Sequence, residues 1–176
     1  MRFALIHPDY KVAIKTRDAE RYLNYPKELY GKHIGKKIPK NLSIINRAYP
    51  EHLILNSIAV LGFNSTVLIE ALIANKMIIS PDFSEVFRDF KSPGVFNGFE
   101  DLLHCVKNYN ELEELILNND GQMSIDVERK NEFLEPIVFK SDGKSYQRVE
   151  REIIKSIESS LSIRKLVMNQ IWLVIT

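Results

Sequence analysis

Ile58–Ser80 reads IAVLGFNSTVLIEALIANKMIIS, and this stretch decides the fold. Its first part, Ile58–Phe63, is a continuous apolar run of the kind found in strands buried on both faces of a sheet. Thr66–Asn75 follows with good helix formers and a lone charge, Glu70, and a helix that is apolar nearly all round is a buried one. Met77–Ser80 is a second short buried strand, stopped at Pro81, which has no N–H to give to a ladder. Strand, buried helix and strand in immediate succession predict a parallel crossover.

The flanking sequence extends the alternation in both directions. Arg2–Ile6 reads as a helical turn and Lys11–Arg17 (KVAIKTR) as a strand with Val12, Ala13 and Ile14 its apolar part. Residues 18–41 hold Pro26, Gly31, Gly35, Pro39 and five lysines, the composition of a long basic loop, and such loops inside compact domains are commonly functional. Leu42–Asn46 is a strand, and Pro50 opens a short helix reaching about Asn56, because proline fits the first helical turn. Downstream, Gly94–Asn97 (GVFN) reads as a last strand. Phe99–Val106 and Asn110–Leu117 have helical spacing, as do Asp126–Leu134 and Tyr146–Ser159. The expected architecture is α/β: a single doubly wound, mostly parallel, Rossmann-like sheet over residues 1–160 with C-terminal helices, followed by a tail at 161–176 of no assigned role. Ligands of such sheets sit outside the carboxyl ends of the strands.

Composition narrows the chemistry. The 176 residues are 45% hydrophobic and 27% charged, enough for a globular core and unlike a disordered or fibrous chain. The formal charge of +1 is a sum of unlike parts: residues 1–50 carry 11 Lys and Arg against 4 Asp and Glu, residues 51–139 carry 6 against 15, and residues 140–176 carry 7 against 4. Basic ends around an acidic middle are either a solvated face or the neighbourhood of an anionic ligand. The single cysteine, Cys105, allows no internal disulfide and fits a reducing, cytoplasmic compartment. The start lacks the order of a secretory signal, and no apolar run reaches the ~20 residues of a membrane span. The expectation is a soluble or peripherally attached protein. Seven glycines, with no G-x-G-x-x-G and no G-x-x-x-x-G-K-[ST], exclude the usual dinucleotide and P-loop cradles. His7, His33, His52 and His104 have no metal-ligand spacing, although His7 and His33 are candidates for acid/base work. No Gly-x-Ser-x-Gly elbow occurs, and Cys105 sits in a helical apolar pattern, which disfavours nucleophilic hydrolysis.

The candidate site follows from the strand ends. Gly62-Phe63-Asn64-Ser65-Thr66 lies between strand and helix, so Asn64 or Ser65 can cap the helix, or the first-turn amides and the Ser65 and Thr66 hydroxyls can hold an anion. Glu70 shares a helical face with Thr66 and either pairs with a sheet cation or accepts hydrogen bonds from ligand hydroxyls. Lys15 and Arg17 end the first strand, as phosphate cations or as solvated residues of an edge. Lys144 and Arg148, in and after the turn Asp142-Gly143-Lys144-Ser145, are secondary candidates.

Val12–Arg17, Gly62–Leu72 with its N-S-T-x-x-x-E-A-L core, Ile78-Ile79-Ser80-Pro81 and Asp142–Ser145 together resemble the carboxyl-terminal, donor-binding half of GT-B-type transferases of bacterial surface polysaccharides, over about residues 10–157. These include capsule glycosyltransferases and the glycerophosphotransferases of teichoic-acid synthesis. The resemblance implies that Asn64, Ser65 and Thr66 bind the phosphates of a nucleotide-activated donor, that Glu70 meets a sugar or ribose hydroxyl, and that Lys15 and Arg17 add charge. It implies no metal and no cofactor beyond that donor, a polysaccharide or lipid-linked acceptor, and no nucleic-acid partner. The family's first strand is often followed by a His-Pro pair that this chain lacks. Asn75 and Met77 stand where the family has Gly and Pro, and asparagine can still take the left-handed helix-end conformation. Because a GT-B active site lies between two domains, the acceptor domain and the general base are expected from another domain or partner chain. The rival readings are a non-catalytic nucleotide- or phosphate-binding module, a nucleotide-sugar epimerase half, and a peripheral membrane scaffold that uses the basic ends and tail.

Overall fold

The computed structural model describes residues 1–18, 20–33, 35, 37–63, 65–82, 94–119 and 125–172, and of 20–22, 33 and 161–172 it describes the backbone alone. The order is α1 (Arg2–Ile6), β1 (Val12–Lys15), α2 (Glu20–His33), β2 (Leu42–Ile45), α3 (Pro50–Leu55), β3 (Ala59–Leu61), α4 (Val67–Ile73), β4 (Met77–Pro81), β5 (His104–Val106), α5 (Tyr109–Leu117), α6 (Val127–Val138) and α7 (Ser145–Trp172), with a 3-10 turn at Glu100–Leu102. The protein is α/β, and every described strand pair is parallel. Two compact units divide the chain, Met1–Lys130 and Asn131–Thr176.

The first unit contains two small sheets instead of the single expected one. β1 pairs with β2 in the register Val12 to Leu42, and β4 lies between β3 and β5 with Ala59 opposite Met77 and Ile79 opposite His104. No ladder joins the two sheets among the described residues. Their strands have only three to five residues, so each forms few ladder bonds and is held mainly by the helices packed on it. The core lies at β4, not at Ile58–Phe63: Met77, Ile78 and Ile79 are fully buried, whereas Ile58, Leu61 and Phe63 are 42%, 48% and 46% exposed. Of the apolar run at 58–63 only Ala59–Leu61 is strand, and it is covered only in part.

Three further expectations are corrected. The segment expected as a long basic loop contains the helix α2, because Leu23, Pro26, Leu29 and Tyr30 recur at helical spacing and turn inward; Pro26 and Tyr30 are buried. Tertiary burial outweighs the hydrogen bond that Pro26 cannot donate. Gly94–Asn97 is a turn, not a strand: Asn97 N–H donates to Gly94 O at 3.0 Å, Phe99 N–H to Phe96 O at 2.8 Å, and Gly98 has a φ of 79°. Arg129 fixes this turn by bonding Gly98 O and the Asp101 carboxylate and by lying over the Phe99 ring at 4.1 Å. Within Phe99–Val106 the expected helix is a single 3-10 turn followed by β5. Leu102, Leu103 and Val106 fit either period in so short a run, and pairing with β4 decides it.

The remaining elements follow local rules. Pro50 occupies the first turn of α3. Asn75 ends α4 in the left-handed conformation, φ 54°, with Asn75 N–H donating to Leu72 O at 3.1 Å and Lys76 N–H to Ala71 O at 3.0 Å, the paired bonds of a Schellman motif. Asn108 caps α5 by accepting from Glu111 N–H at 3.0 Å. Asn41, just before β2, donates from one amide nitrogen towards the carbonyls of Ala4 (2.8 Å), His7 (3.1 Å) and Tyr10 (2.8 Å), which ties the end of α1 to the first sheet.

In the second unit, Phe139 ends α6 at a φ of 63°, costly for a bulky residue, with Lys140 and Arg148 each 5.4 Å from its ring centre. α7 runs for 28 residues, about 42 Å at 1.5 Å per residue, and crosses the position where the sequence pattern separates body from tail. Tyr146, Val149, Ile153, Ile154 and Ile157 are exposed along it. Among the described residues no helix is long and apolar enough to cross a membrane.

Candidate functional site

The β3–α4 junction is built around Gly62. A Cβ at this position would lie 3.1 Å from Leu68 Cδ2, so glycine permits the close approach that buries Leu68 against the strand end. Asn64 lies outside the described residues. Ser65 Oγ accepts from Val67 N–H at 3.4 Å, a long cap, while Thr66 enters the helix with helical dihedrals and no cap of its own. The next amides are engaged inside the turn, Leu68 N–H with Ser65 O and Ile69 N–H with Thr66 O, both at 3.0 Å. The groups this junction presents are therefore the hydroxyls of Ser65 and Thr66 more than free first-turn amides.

Glu70 completes the junction. Its neighbours Leu68, Ile69, Ala71 and Leu72 are buried, yet Glu70 is exposed and forms no ion pair among the described residues. The seven-residue helix is apolar on the sides that meet the core and carries its one carboxylate, one turn after Thr66, to the outside.

The carboxyl end of β1 carries the cations. Lys15 Nζ donates to Thr16 O at 2.6 Å and to Asn46 O at 2.9 Å, so the ammonium spans the ends of β1 and β2. Arg17 is exposed, and the following residue, Asp18, lies 3.5 Å from Arg47. Lys144 and Arg148 belong to the second unit. Arg148 grips Asp142 through Nη1 at 2.9 and 3.0 Å and also donates to Lys140 O and Ser145 Oγ. With Lys144 N–H as a further donor, these bonds hold the Asp142 carboxyl down to about 2. The plain reading of a turn that starts a helix thus describes Arg148, while the Lys144 side chain is exposed.

A polar cluster with no sequence signature lies elsewhere in the first unit. His7 Nε2 is 2.7 Å from Glu113 Oε1, and Tyr109 O–H donates to the same oxygen at 2.8 Å. The Arg2 guanidinium lies over the Tyr109 ring at 4.4 Å. The bonds from His7 and Tyr109 hold the Glu113 carboxyl below its ordinary range, and burial with the adjacent carboxylate pushes the Tyr109 phenol up to about 12. An ionised carboxylate only accepts, so the imidazole donates from Nε2. His33 is described by its backbone alone. Cys105 sits on β5, not on a helix, and burial, with Asp82 and Glu100 nearby, raises its thiol, the opposite of an activated nucleophile. No group of three metal-ligating side chains occurs among the described residues.

No family model matches this chain, and no curated protein or solved structure is significantly similar to it.

Proposed function

We propose that this chain is the donor-binding domain of a glycosyltransferase or glycerophosphotransferase of bacterial surface polysaccharides, holding a nucleotide-activated donor at the carboxyl ends of its parallel strands. The observation that carries this reading is Glu70, an exposed carboxylate with no ion pair among the described residues, set in a helix whose neighbouring side chains are buried, one turn after Thr66. A carboxylate in that position accepts hydrogen bonds from the hydroxyls of a ribose or sugar.

In this reading Ser65 and Thr66 donate hydrogen bonds from their hydroxyls to the donor's phosphate oxygens, and Lys15 and Arg17 supply positive charge to the leaving group, a nucleoside diphosphate in glycosyl transfer and a nucleoside monophosphate in glycerophosphate transfer. The acceptor oxygen attacks the anomeric carbon, or phosphorus in the glycerophosphate case. The bond to the leaving phosphate oxygen breaks, and the acceptor proton passes to a base on a second domain or partner chain. Because the α4 amides are occupied within their own turn, the hydroxyls and cations carry the binding.

Calorimetric titration with UDP, CDP, GDP and ADP tests the reading. At least one is expected to bind, with affinity reduced about tenfold, one hydrogen bond to a charged group, in Glu70→Ala. Binding by none of the four, or binding indifferent to both Glu70→Ala and Thr66→Ala, overturns it.

A further inference from the structure

The two sheets of the first unit are backed by separate apolar clusters among the described residues. Ala4, Tyr30 and Leu42 form one, on the β1–β2 side; Met77, Ile79 and Val106, with Leu115 of α5 against them, form another, on the β3–β4–β5 side. No ladder connects these layers among the described residues. His7 closes α1, which lends Ala4 to the first cluster, and Glu113 lies on α5, which lends Leu115 to the second. Their 2.7 Å contact, across 106 residues of sequence, therefore runs from one layer to the other, as does the stacking of Arg2 on Tyr109.

We propose that the Arg2–His7–Tyr109–Glu113 cluster is a polar latch that holds the β1–β2 layer against the β3–β4–β5 layer, so that opening it frees the first layer without unfolding the second. Apolar side chains tolerate sliding, whereas a hydrogen bond weakens steeply with angle and is either made or lost. Two donors converge on one carboxylate oxygen, with His7 and Glu113 only 20% and 26% exposed, so one group secures both α1 and the start of α5. Asn41 transmits the hold, since its amide fastens the carbonyls of Ala4, His7 and Tyr10 to the chain entering β2. If the donor-site reading above is right, on which this last step rests, the latch also regulates that site: Lys15 and Arg17 belong to the first layer, Ser65, Thr66 and Glu70 to the second, and a closed latch sets both sets of groups on one ligand.

Hydrogen–deuterium exchange on the full chain, comparing wild type with Glu113→Ala, Glu113→Gln, His7→Ala and the double His7→Ala/Glu113→Ala, tests the latch. Amides of residues 12–15 and 42–45 are expected to exchange about tenfold faster in Glu113→Ala, with residues 77–80 and 104–106 unchanged, and the double variant no faster than the worse single one. Glu113→Gln keeps an acceptor and is expected to show the same selectivity at smaller amplitude, which preserves the test if the alanine variant does not fold. Equal acceleration of both layers, the mark of a general loss of stability, overturns the proposal, and so does no acceleration at all. Titration of the same variants with UDP, CDP, GDP and ADP separates the two ideas. Weaker binding in Glu113→Ala supports the link to the donor site, unchanged binding overturns that link, and absence of binding in wild type removes the donor reading while exchange still decides the latch.

Discussion

The β4 strand and the β1 strand are both short, apolar and parallel-paired, yet they are held in different ways. Met77, Ile78 and Ile79 have no exposed surface, because β4 has a strand on each side and helices against it. In β1 the exposure alternates: Val12 and Ile14 are half-buried, Ala13 and Lys15 are exposed, and among the described residues only β2 pairs with it. A central strand is stabilised by the apolar area it removes from water, and a two-stranded ribbon is marginal without other support. In the first layer polar contacts add to the apolar cluster of Ala4, Tyr30 and Leu42: the Asn41 amide, the Lys15 ammonium across two strand ends, and the His7–Glu113 contact.

The sharpest break of this contrast is a pair of truncations. Ile79→Ala should cost about 3–5 kcal/mol in denaturant unfolding and Ile14→Ala about 1–2 kcal/mol, since the second leaves a smaller cavity at a half-buried site. Equal costs would mean that the two layers share one core. Next, Asn41→Ala should cost about 1–3 kcal/mol by orphaning carbonyls at the end of α1, and exchange should report the loss in residues 2–15 first. Asn75→Ala should cost about 1 kcal/mol, because alanine resists the left-handed conformation that ends α4; a stability equal to wild type would mean that the Schellman bonds do not require it.

The smallest effect expected is one of pH. Glu113 is held below its ordinary value first by the hydrogen bond from His7, then by that from Tyr109. A carboxylate depressed in the folded state stabilises it above the unfolded pKa, and that contribution is lost as pH falls through the folded pKa. Thermal midpoints measured from about pH 6 down to about pH 3 should fall less steeply in Glu113→Gln than in wild type. Identical slopes would show that the contact is not coupled to folding.

Legibility in the sequence followed the range of the interactions. Arg2–Ile6, Val12–Lys15, Leu42–Ile45, Pro50–Leu55 and Met77–Ser80 were readable because period, proline placement and apolar runs act within a few residues; Pro81, expected to stop β4, instead belongs to it opposite Val106. α2 was hidden because the breaking tendency of Pro26 is local, while the burial of Pro26 and Tyr30 is tertiary. β5 was hidden because His104–Val106 become a strand only by pairing with Ile79–Pro81. At the candidate site, the position of Ser65 and Thr66 at a strand end was legible. Whether Glu70 was paired or open depended on the fold around it, and the commitment of Arg148 to Asp142 depended on the turn at Gly143. Nothing in the sequence joins His7 to Glu113, since no periodicity spans that separation.

The amide of Asn41 has a further consequence, for the chemical ageing of the chain. Hydrolysis of that side chain to aspartate replaces a donor with a group that only accepts, directed at three carbonyl oxygens within 3.1 Å. The loss of a single ammonia molecule would thus turn the fastening of α1 into repulsion.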